Sequence, residues 1–555
     1  MPKRLAITIA GAVSLGSYEA GVLYEICEAL RQHNTDPATP DAEKIYIDVI
    51  TGASAGGMTA VIAAQKLLFE AGSLASAYDN SFYRPWVKDI SIDALLNYLD
   101  GDVPTHSLLS SRLIDSIARK HLLGRYGGVA DPQVDPHPTA LGEIRLGLAL
   151  GNLNGISYSR DVRPNKQAFV YTRYQDILNK TLGPGSDVES IWEKLVPAVC
   201  ATGAFPFAFA PREFSRMLSE YDPTYLVKFP EGQRFTYTDG GVFQNEPLGL
   251  AKQLVDEVVH ADPAAGADER YYLFVCPHPL AATSNSELNE SNAVLGKTAA
   301  AVISAFYNQA RFHDWIAAES INDRIGLFNT HARGLQQLFQ NGTLTDGTVA
   351  PITSAILPLL FPNSARETQA EAWSRVKSQW EPEYISLAAQ RSQQVADVWI
   401  DTILLLETAA GLGAKDEMII YGITAENKEL AGSDAFAFLG FFDRAYRDHD
   451  YDLGRTKARN FIDLINQGEQ PDAINNGRSI GPIRYASRPE IHAIDKNLDD
   501  LKMASVPAPL RQAFEKRLRA RSHDLMADLG IKNPLEREAI ELAVVGPLLR
   551  KYLNL

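Results

Sequence analysis

A serine flanked by small residues stands early in the chain, in the pentapeptide Gly52-Ala53-Ser54-Ala55-Gly56. This G-x-S-x-G pattern is typical of a nucleophile elbow, where a serine lies at a sharp turn between a strand and a helix. The flanking glycines let strand and helix pass closely, and the helix amino end favours a developing negative charge. We therefore predict that Ser54 is a nucleophile. The alternative is a serine that only caps a helix.

A second glycine turn, Gly11–Gly16 (GAVSLG), precedes this serine. Backbone N–H groups in such a turn can converge on a negatively charged oxygen. It is not a P-loop, because no Gly-Lys-Ser/Thr ends it, and its spacing does not fit a dinucleotide fingerprint. A tight turn without ligand and a phosphate-binding turn stay open as alternatives. An oxyanion hole here would use the N–H groups of Gly11, Ala12, Val13 and Ser14, with Gly16 as a further motif glycine.

An aspartate followed by two glycines, Asp239-Gly240-Gly241, comes after a short expected strand. Such a sequence is often only a turn. As a functional group, the carboxylate would project from the strand end and act as the base for Ser54. A free aspartate has a pKa near 3.9, so proximity and burial would have to make it an effective base. We expect a carboxylate oxygen within about 2.6–3.2 Å of the serine hydroxyl.

Histidine is the rival base, and His278 is the best placed of the 11 in the chain. It follows an expected strand and comes after Ser54 and Asp239, which is the Ser–Asp–His order of α/β-hydrolases. The two prolines beside it fit a loop equally well. We therefore predict a catalytic dyad without histidine, and structural or exposed roles for the other histidines.

Three aspartates at alternate positions, Asp448, Asp450 and Asp452, are similar to part of a calcium loop. Leu453 stands where such a loop needs glycine, and Arg459 stands where it needs glutamate. We therefore expect a solvated or salt-bridged turn and no metal.

Together the three motifs resemble the patatin-like phospholipase family. Gly11–Gly16, with Gly21–Leu23 after it, is similar to the family's first block. Gly52–Gly56 and Asp239–Gly241 match the family's serine and aspartate motifs. Between them, Ala198–Pro211 is similar to the family's Ala-Ser/Thr block with its downstream prolines.

The chain departs from the family's first block at three positions. Ala12 and Val13 stand where the family usually has glycine, and Leu15 stands where it has Arg or Lys. The backbone N–H donors survive these changes, whereas Leu15 cannot supply the role of the basic residue. Further on, Phe438–Arg459 is similar to a block of larger bacterial members.

The resemblance implies a serine lipid acyl hydrolase that cleaves phospholipid or another acyl lipid through an acyl-enzyme on Ser54, with no cofactor. Two alternatives stay open. One is a non-lipid esterase or acyltransferase with the same dyad. The other is a catalytically inactive protein that keeps the fold for interaction, and the departures in the first block are its support.

Strand-like and helix-like segments alternate in the first half of the chain, which favours a mainly parallel sheet with helices on both faces. The resemblance implies a three-layer α/β patatin-like fold. The expected strands are Leu5–Ile9, Ile45–Ile50, Glu143–Leu150, Gln167–Thr172, Arg234–Tyr237, Tyr271–Cys276 and Glu417–Thr424. The expected helices are Tyr18–Gln32, Ala55–Ala71, Asn292–Phe328, Glu367–Leu412 and Pro507–Asn554, and Arg125–Thr139 is an expected loop.

The 555 residues are too many for one ordinary core. We expect a catalytic α/β domain over residues 1–285 and a mainly helical insertion over 286–415. A returning strand with the family-like block would occupy 416–465, and a helical C-terminal region 466–555.

The net charge of −15 argues against a nucleic-acid partner, which requires a basic face. It also gives no attraction to anionic lipid, whereas docking on a neutral membrane surface through apolar side chains stays open. Cys27, Cys200 and Cys276 have the spacing of neither a disulfide framework nor a zinc site. We expect buried thiols in a reducing compartment.

The N-terminal residues allow two interpretations. Lys3 and Arg4 before the apolar run Leu5–Gly16 have the pattern of a signal peptide, and the same run fits a strand entering the glycine turn. We favour the strand, because cleavage would remove the turn. No stretch reaches the roughly 18 apolar residues of a membrane span. We expect a cytoplasmic protein or one peripheral to a membrane, and secretion without cleavage stays open.

Overall fold

The structure, a computed structural model, contains a mixed sheet of ten strands with helices packed against it. The residues that it describes are 2–123, 136–160, 169–183, 188–221, 226–228, 234–262, 265–266, 268–278, 288–290, 314–326, 346–360, 368–374, 376–377, 401–406, 417–469, 473–474, 478–492, 502–528 and 530–546, with a few single residues or pairs between and after these ranges.

The strands in chain order are β1 Lys3–Ile9, β2 Ile45–Gly52, β3 Ala140–Arg160, β4 Phe169–Leu182, β5 Arg212–Ser215, β6 Leu226–Lys228, β7 Arg234–Asp239, β8 Glu269–Cys276, β9 Ile420–Thr424 and β10 Ala473–Ile474. The sheet order is β10-β9-β8-β1-β2-β3-β7-β5, and β4 and β6 also pair with β3. The five central strands, β9 to β3, are parallel to one another, whereas the outer pairs are antiparallel.

The helices are α1 Gly16–Thr35, α2 Ser54–Phe69, α3 Ile92–Leu96, α4 Ser111–Leu122, α5 Val188–Thr202, α6 Leu248–Ala261, α7 Asp346–Leu360, α8 Asp434–Ala437, α9 Arg444–Asn466, α10 Ala508–Asp528 and α11 Pro534–Ile540. Residues 314–326 are also helical. Among the helices of the described ranges, none combines the length and apolar character needed to cross a membrane.

Strand β1 is buried on both faces, because its alternate side chains enter two different apolar clusters. Leu5, Ile7 and Ile9 join the cluster that contains α1, α2, α5 and α9. Ala6 and Ala10 join the cluster that contains α6. A run of apolar residues without a polar face is typical of such a central parallel strand. The sheet therefore has helices on both faces, which confirms the predicted fold class.

Helices α1 and α9 cross at very short range although more than 400 residues separate them. A Cβ atom at Gly21 would clash with the carbonyl of Tyr451, and one at Gly454 would clash with the carbonyl of Tyr18. Only glycine permits this approach. Helix α9 therefore packs directly on the helix that follows the first glycine turn.

Most of the predicted elements that fall on described residues are confirmed, with shifted ends. The β3–β4 hairpin is longer than predicted, since β3 runs on to Arg160 and β4 runs on to Leu182. The predicted loop at 125–139 and the predicted helices at 292–328 and 367–412 lie largely outside the described residues, whereas the predicted helix at 507–554 contains α10 and α11. The three cysteines are buried and free, as predicted.

The prediction of a turn at Asp448–Asp452 is wrong, although Asp448 and Asp452 form ion pairs with Arg444 and Arg455. These residues lie inside α9, and both Asp450 and Asp452 are buried. Asp450 accepts hydrogen bonds from the N–H groups of Ala431 and Gly432, and burial raises its pKa to about 8. Asp450 therefore holds the loop at Ala431 and Gly432 against α9.

Candidate active site

Ser54 lies at the sharp turn where β2 ends and α2 begins. Its φ angle is +52°, in the left-handed region that non-glycine residues rarely occupy. A Cβ atom at Gly52 would clash with the carbonyl of Gly56, and one at Gly56 with the carbonyl of Ala10. The two glycines thus permit the tight turn that presents Ser54.

Asp239 lies at the end of β7 with its side chain fully buried against Ser54. The Ser54 hydroxyl donates to Oδ2 of Asp239 over 2.6 Å. The N–H group of Gly241 donates to Oδ1 over 2.7 Å. A Cβ atom at Gly240 would clash with the carbonyl of Ala149 on β3, so this glycine lets the two backbones meet.

The pKa of Asp239 is raised to about 7. Burial is the main cause, since a charged carboxylate loses its hydration there. The hydrogen bonds from Ser54 and Gly241 act in the opposite direction and favour the charged form. The carboxylate is therefore a much stronger base than a free aspartate. The low pKa of an ordinary aspartate is then no obstacle to its acting as the base for Ser54.

Thr202 holds the backbone of Ser54. The N–H group of Ser54 donates to Oγ1 of Thr202 over 3.1 Å, and this hydroxyl donates in turn to the carbonyl of Ala149 over 2.7 Å. Thr202 ends α5 and belongs to the Ala198–Pro211 segment. The sequence alone indicates no role for Thr202, although the threonine of that block is a signal that points to it.

The first glycine turn lies directly against Ser54. A Cβ atom at Gly11 would come within 2.9 Å of the Ser54 Cβ. Val13 has a φ angle of +53°, which is strained for a β-branched residue. Within the described residues, the N–H groups of Ala12 and Val13 contact no acceptor. Ala12 and Val13, which are both among the predicted donors, therefore have N–H groups that are available for an oxyanion.

The other residues of this turn have structural partners. The N–H group of Gly11 donates to the carbonyl of Asn245 over 3.0 Å, so this predicted donor is already occupied. The hydroxyl of Ser14 donates to the carbonyl of Ala437 in α8. Leu15 is fully buried, and the ring of Trp86 packs where a Cβ atom at Gly16 would lie.

His278 does not share the hydrogen bonds of the serine and the aspartate. It lies just past the end of β8, where its Nδ1 atom is 3.5 Å from Oδ1 of Asn427. The described partners of the Asp239 carboxylate are Ser54 and Gly241. In the described part of the chain, no three His, Cys, Asp or Glu residues are grouped to hold a metal ion.

Comparison with known proteins shows that one part of the chain is similar to a known family. The family model described as patatin-like phospholipase matches residues 7–252. The uncharacterized protein y4iI of Sinorhizobium fredii is 24% identical over 411 residues, a match that covers 58% of this chain and 56% of that relative's own length.

A solved structure, that of VipD from Legionella pneumophila, covers 75% of this chain and 93% of its own, at 12% identity and a TM-score of 0.23. A TM-score this low does not show a shared fold. The match to residues 7–252 includes Ser54, Asp239 and the first glycine turn, so the part of the chain that holds this site is similar to the patatin-like phospholipase family.

Proposed function

We propose that this protein is a serine lipid acyl hydrolase that cleaves carboxylic esters with Ser54 as nucleophile and Asp239 as base. The family supports lipid acyl hydrolysis in general terms. The observation that carries the finer proposal is the buried 2.6 Å hydrogen bond between the Ser54 hydroxyl and the Asp239 carboxylate. It joins a serine in a strained turn to a carboxylate with a raised pKa.

In the first step, Asp239 takes the hydroxyl proton while Ser54 Oγ attacks the ester carbonyl carbon. The carbonyl oxygen becomes an oxyanion, which the N–H groups of Ala12 and Val13 stabilise. The carbon–oxygen bond to the alcohol then breaks, and the protonated Asp239 returns the proton to the leaving alkoxide. The products of this step are a free alcohol and an acyl group on Ser54.

In the second step, Asp239 takes a proton from water, and the resulting hydroxide attacks the acyl carbon. The bond to Ser54 breaks, the serine recovers a proton from Asp239, and the carboxylic acid leaves. The chemistry requires only a nucleophile, a base and an oxyanion hole, so it involves no cofactor.

An acyl lipid substrate agrees with the apolar surroundings of the dyad. Val13 of the glycine turn packs against a second apolar cluster, to which Ala204 belongs. The Ala204 carbonyl accepts the N–H group of Asp239, so this cluster begins next to the base. With a net charge of −15, the protein would meet its lipid at a neutral or zwitterionic surface.

The competing proposal is an inactive protein that keeps the fold for interaction. Two observations favour it: Leu15 is buried where the family has a basic residue, and the Gly11 N–H group is occupied by Asn245. A non-lipid esterase or acyltransferase would use the same dyad, and a panel of lipid and short-chain esters distinguishes it from a lipid hydrolase.

A fluorophosphonate probe tests the proposal, because it labels only an activated serine. Peptide mapping should place the adduct on Ser54, and Ser54→Ala should abolish labelling. Ser17→Ala is a matched control, since Ser17 is buried nearby and its hydroxyl donates to the carbonyl of Ser14. Absence of labelling in the folded wild-type protein would favour the inactive alternative.

A further inference from the structure

Asn245 forms two hydrogen bonds with Gly11 of the first glycine turn, one through its main chain and one through its side chain. Its main-chain carbonyl accepts the N–H group of Gly11 over 3.0 Å, and its side-chain Nδ2 donates to the Gly11 carbonyl over 3.3 Å. The side chain is 4% exposed. Asn245 was not among the site residues that the sequence indicated, because its partner lies more than 200 residues away.

We propose that Asn245 is a positioning residue that aims the N–H group of Ala12 at the oxyanion. This inference rests on the proposed function and deepens it, since it assigns the group that keeps the oxyanion hole in shape. The argument depends on the geometry of the peptide unit. The carbonyl of Gly11 and the N–H group of Ala12 belong to one planar trans peptide and point in opposite directions.

Fixing the Gly11 carbonyl therefore fixes the direction of the Ala12 N–H group. Without the side-chain amide of Asn245, this peptide could rotate about the flanking φ and ψ angles. Gly11 has unusual rotational freedom, because it lacks a Cβ atom. That freedom has to be removed if a donor is to be ready before the reaction, as oxyanion stabilisation requires.

The absence of a side chain at Gly11 is what allows this contact. A Cβ atom there would clash with Oδ1 of Asn245. Such an atom would also come within 2.9 Å of the Ser54 Cβ, so Asn245, Gly11 and the nucleophile meet at one point. Because Gly11 has no side chain, it allows Asn245 to approach closely and also permits the tight turn.

The chain between the base and Asn245 is short and internally bonded. The N–H groups of Phe243 and Gln244 both donate to the carbonyl of Gly240, which closes a compact turn after Asp239. One end of this turn contacts Ser54 through Asp239, and the other end contacts Gly11 through Asn245. The segment therefore fixes the base and the oxyanion turn relative to each other.

The test compares two buried asparagines in the full-length protein. Asn245→Asp keeps the size of the side chain and the main-chain bond, and it removes the amide donor. The control is Asn34→Asp. Asn34 is also buried, and its Nδ2 donates to the carbonyls of Ile45 and Pro138 at the opposite end of β2 from Ser54.

We expect Asn245→Asp to lower kcat by about 10- to 100-fold on an ester substrate, with KM within about threefold of the wild type, because the donor acts on the oxyanion and not on the bound ester. Affinity for a trifluoromethyl ketone, which forms a tetrahedral adduct with the serine, should fall by a similar factor. Asn34→Asp should retain kcat even where it lowers the melting temperature.

The proposal would be overturned if folded Asn245→Asp had the kcat and the inhibitor affinity of the wild type. It would also be overturned if the loss of activity were fully explained by a smaller fraction of folded protein. If that variant does not fold, Asn245→Ala is measured by the same criteria. The two proposals fail in different ways. An unlabelled, inactive wild-type protein contradicts the dyad and this inference together, whereas an active wild type with an equally active Asn245 variant contradicts this inference alone.

Discussion

The hydroxyl of Ser54 donates to a carboxylate that has no contact with solvent, since Asp239 is fully buried and 2.6 Å away. A carboxylate in that position loses hydration and is compensated by two hydrogen bonds, from Ser54 and Gly241. The pair therefore combines a short path for the proton with a base stronger than an exposed aspartate.

The pH dependence of catalysis should report the raised pKa of Asp239. Only the ionised carboxylate accepts the serine proton, and its pKa is about 7. We expect kcat/KM to rise about tenfold per pH unit below pH 7 and to level off above it. Asp452, whose pKa is raised to about 6, is the control: Asp452→Asn should leave the profile unchanged. A plateau that already begins near pH 4 would contradict the buried-base account.

The same burial should make Asp239 a source of instability that grows between about pH 4 and about pH 7. Its folded pKa of about 7 exceeds the unfolded value near 3.9, so between them the folded state binds more protons. Raising the pH from 5 to 8 therefore lowers the free energy of unfolding through this group. Denaturant unfolding of Asp239→Asn should show a stability gain over wild type that is larger at pH 8, by about 2 kcal/mol. A gain independent of pH would argue that the folded carboxyl group titrates normally.

Thr202 should act through the backbone of Ser54. Thr202→Val removes a buried hydroxyl and leaves the Ser54 N–H group and the Ala149 carbonyl without their partner. We expect a loss of about 1–3 kcal/mol in stability and roughly tenfold in kcat. Thr202→Ser keeps the hydroxyl and should behave like the wild type in thermal unfolding and kinetics. Equal activity of the valine and serine variants would show that the hydroxyl is dispensable for catalysis.

The parts of the site that the sequence predicts are those with a local pattern. Ser54 is recognised because its strand, turn and helix are consecutive in the chain. The same holds for Asp239, which ends a short strand before two glycines. The central strands are predictable because burial on both faces leaves continuous apolar runs.

The contacts that complete the site come from distant segments, and no local pattern encodes them. Asn245 looks like an ordinary polar residue in the sequence, and Thr202 is marked only by its place in the Ala198–Pro211 block. The partners of both become known only when the sheet brings β2, β3 and β7 together. The sequence pattern around Asp450 predicts a turn for the same reason. Its carboxylate is buried against the N–H groups of Ala431 and Gly432, which lie 19 and 18 residues earlier in the chain.

The most direct test of the central claim compares turnover of Asp239→Asn and His278→Ala on an acyl ester. The account predicts that Asp239→Asn loses at least about 10² to 10⁴-fold in kcat, because no base then accepts the proton of Ser54. It also predicts that His278→Ala stays within about threefold of the wild type, since His278 lies beside Asn427. The opposite result, an inactive His278 variant beside an active Asp239 variant, would contradict the dyad and indicate a Ser–His site.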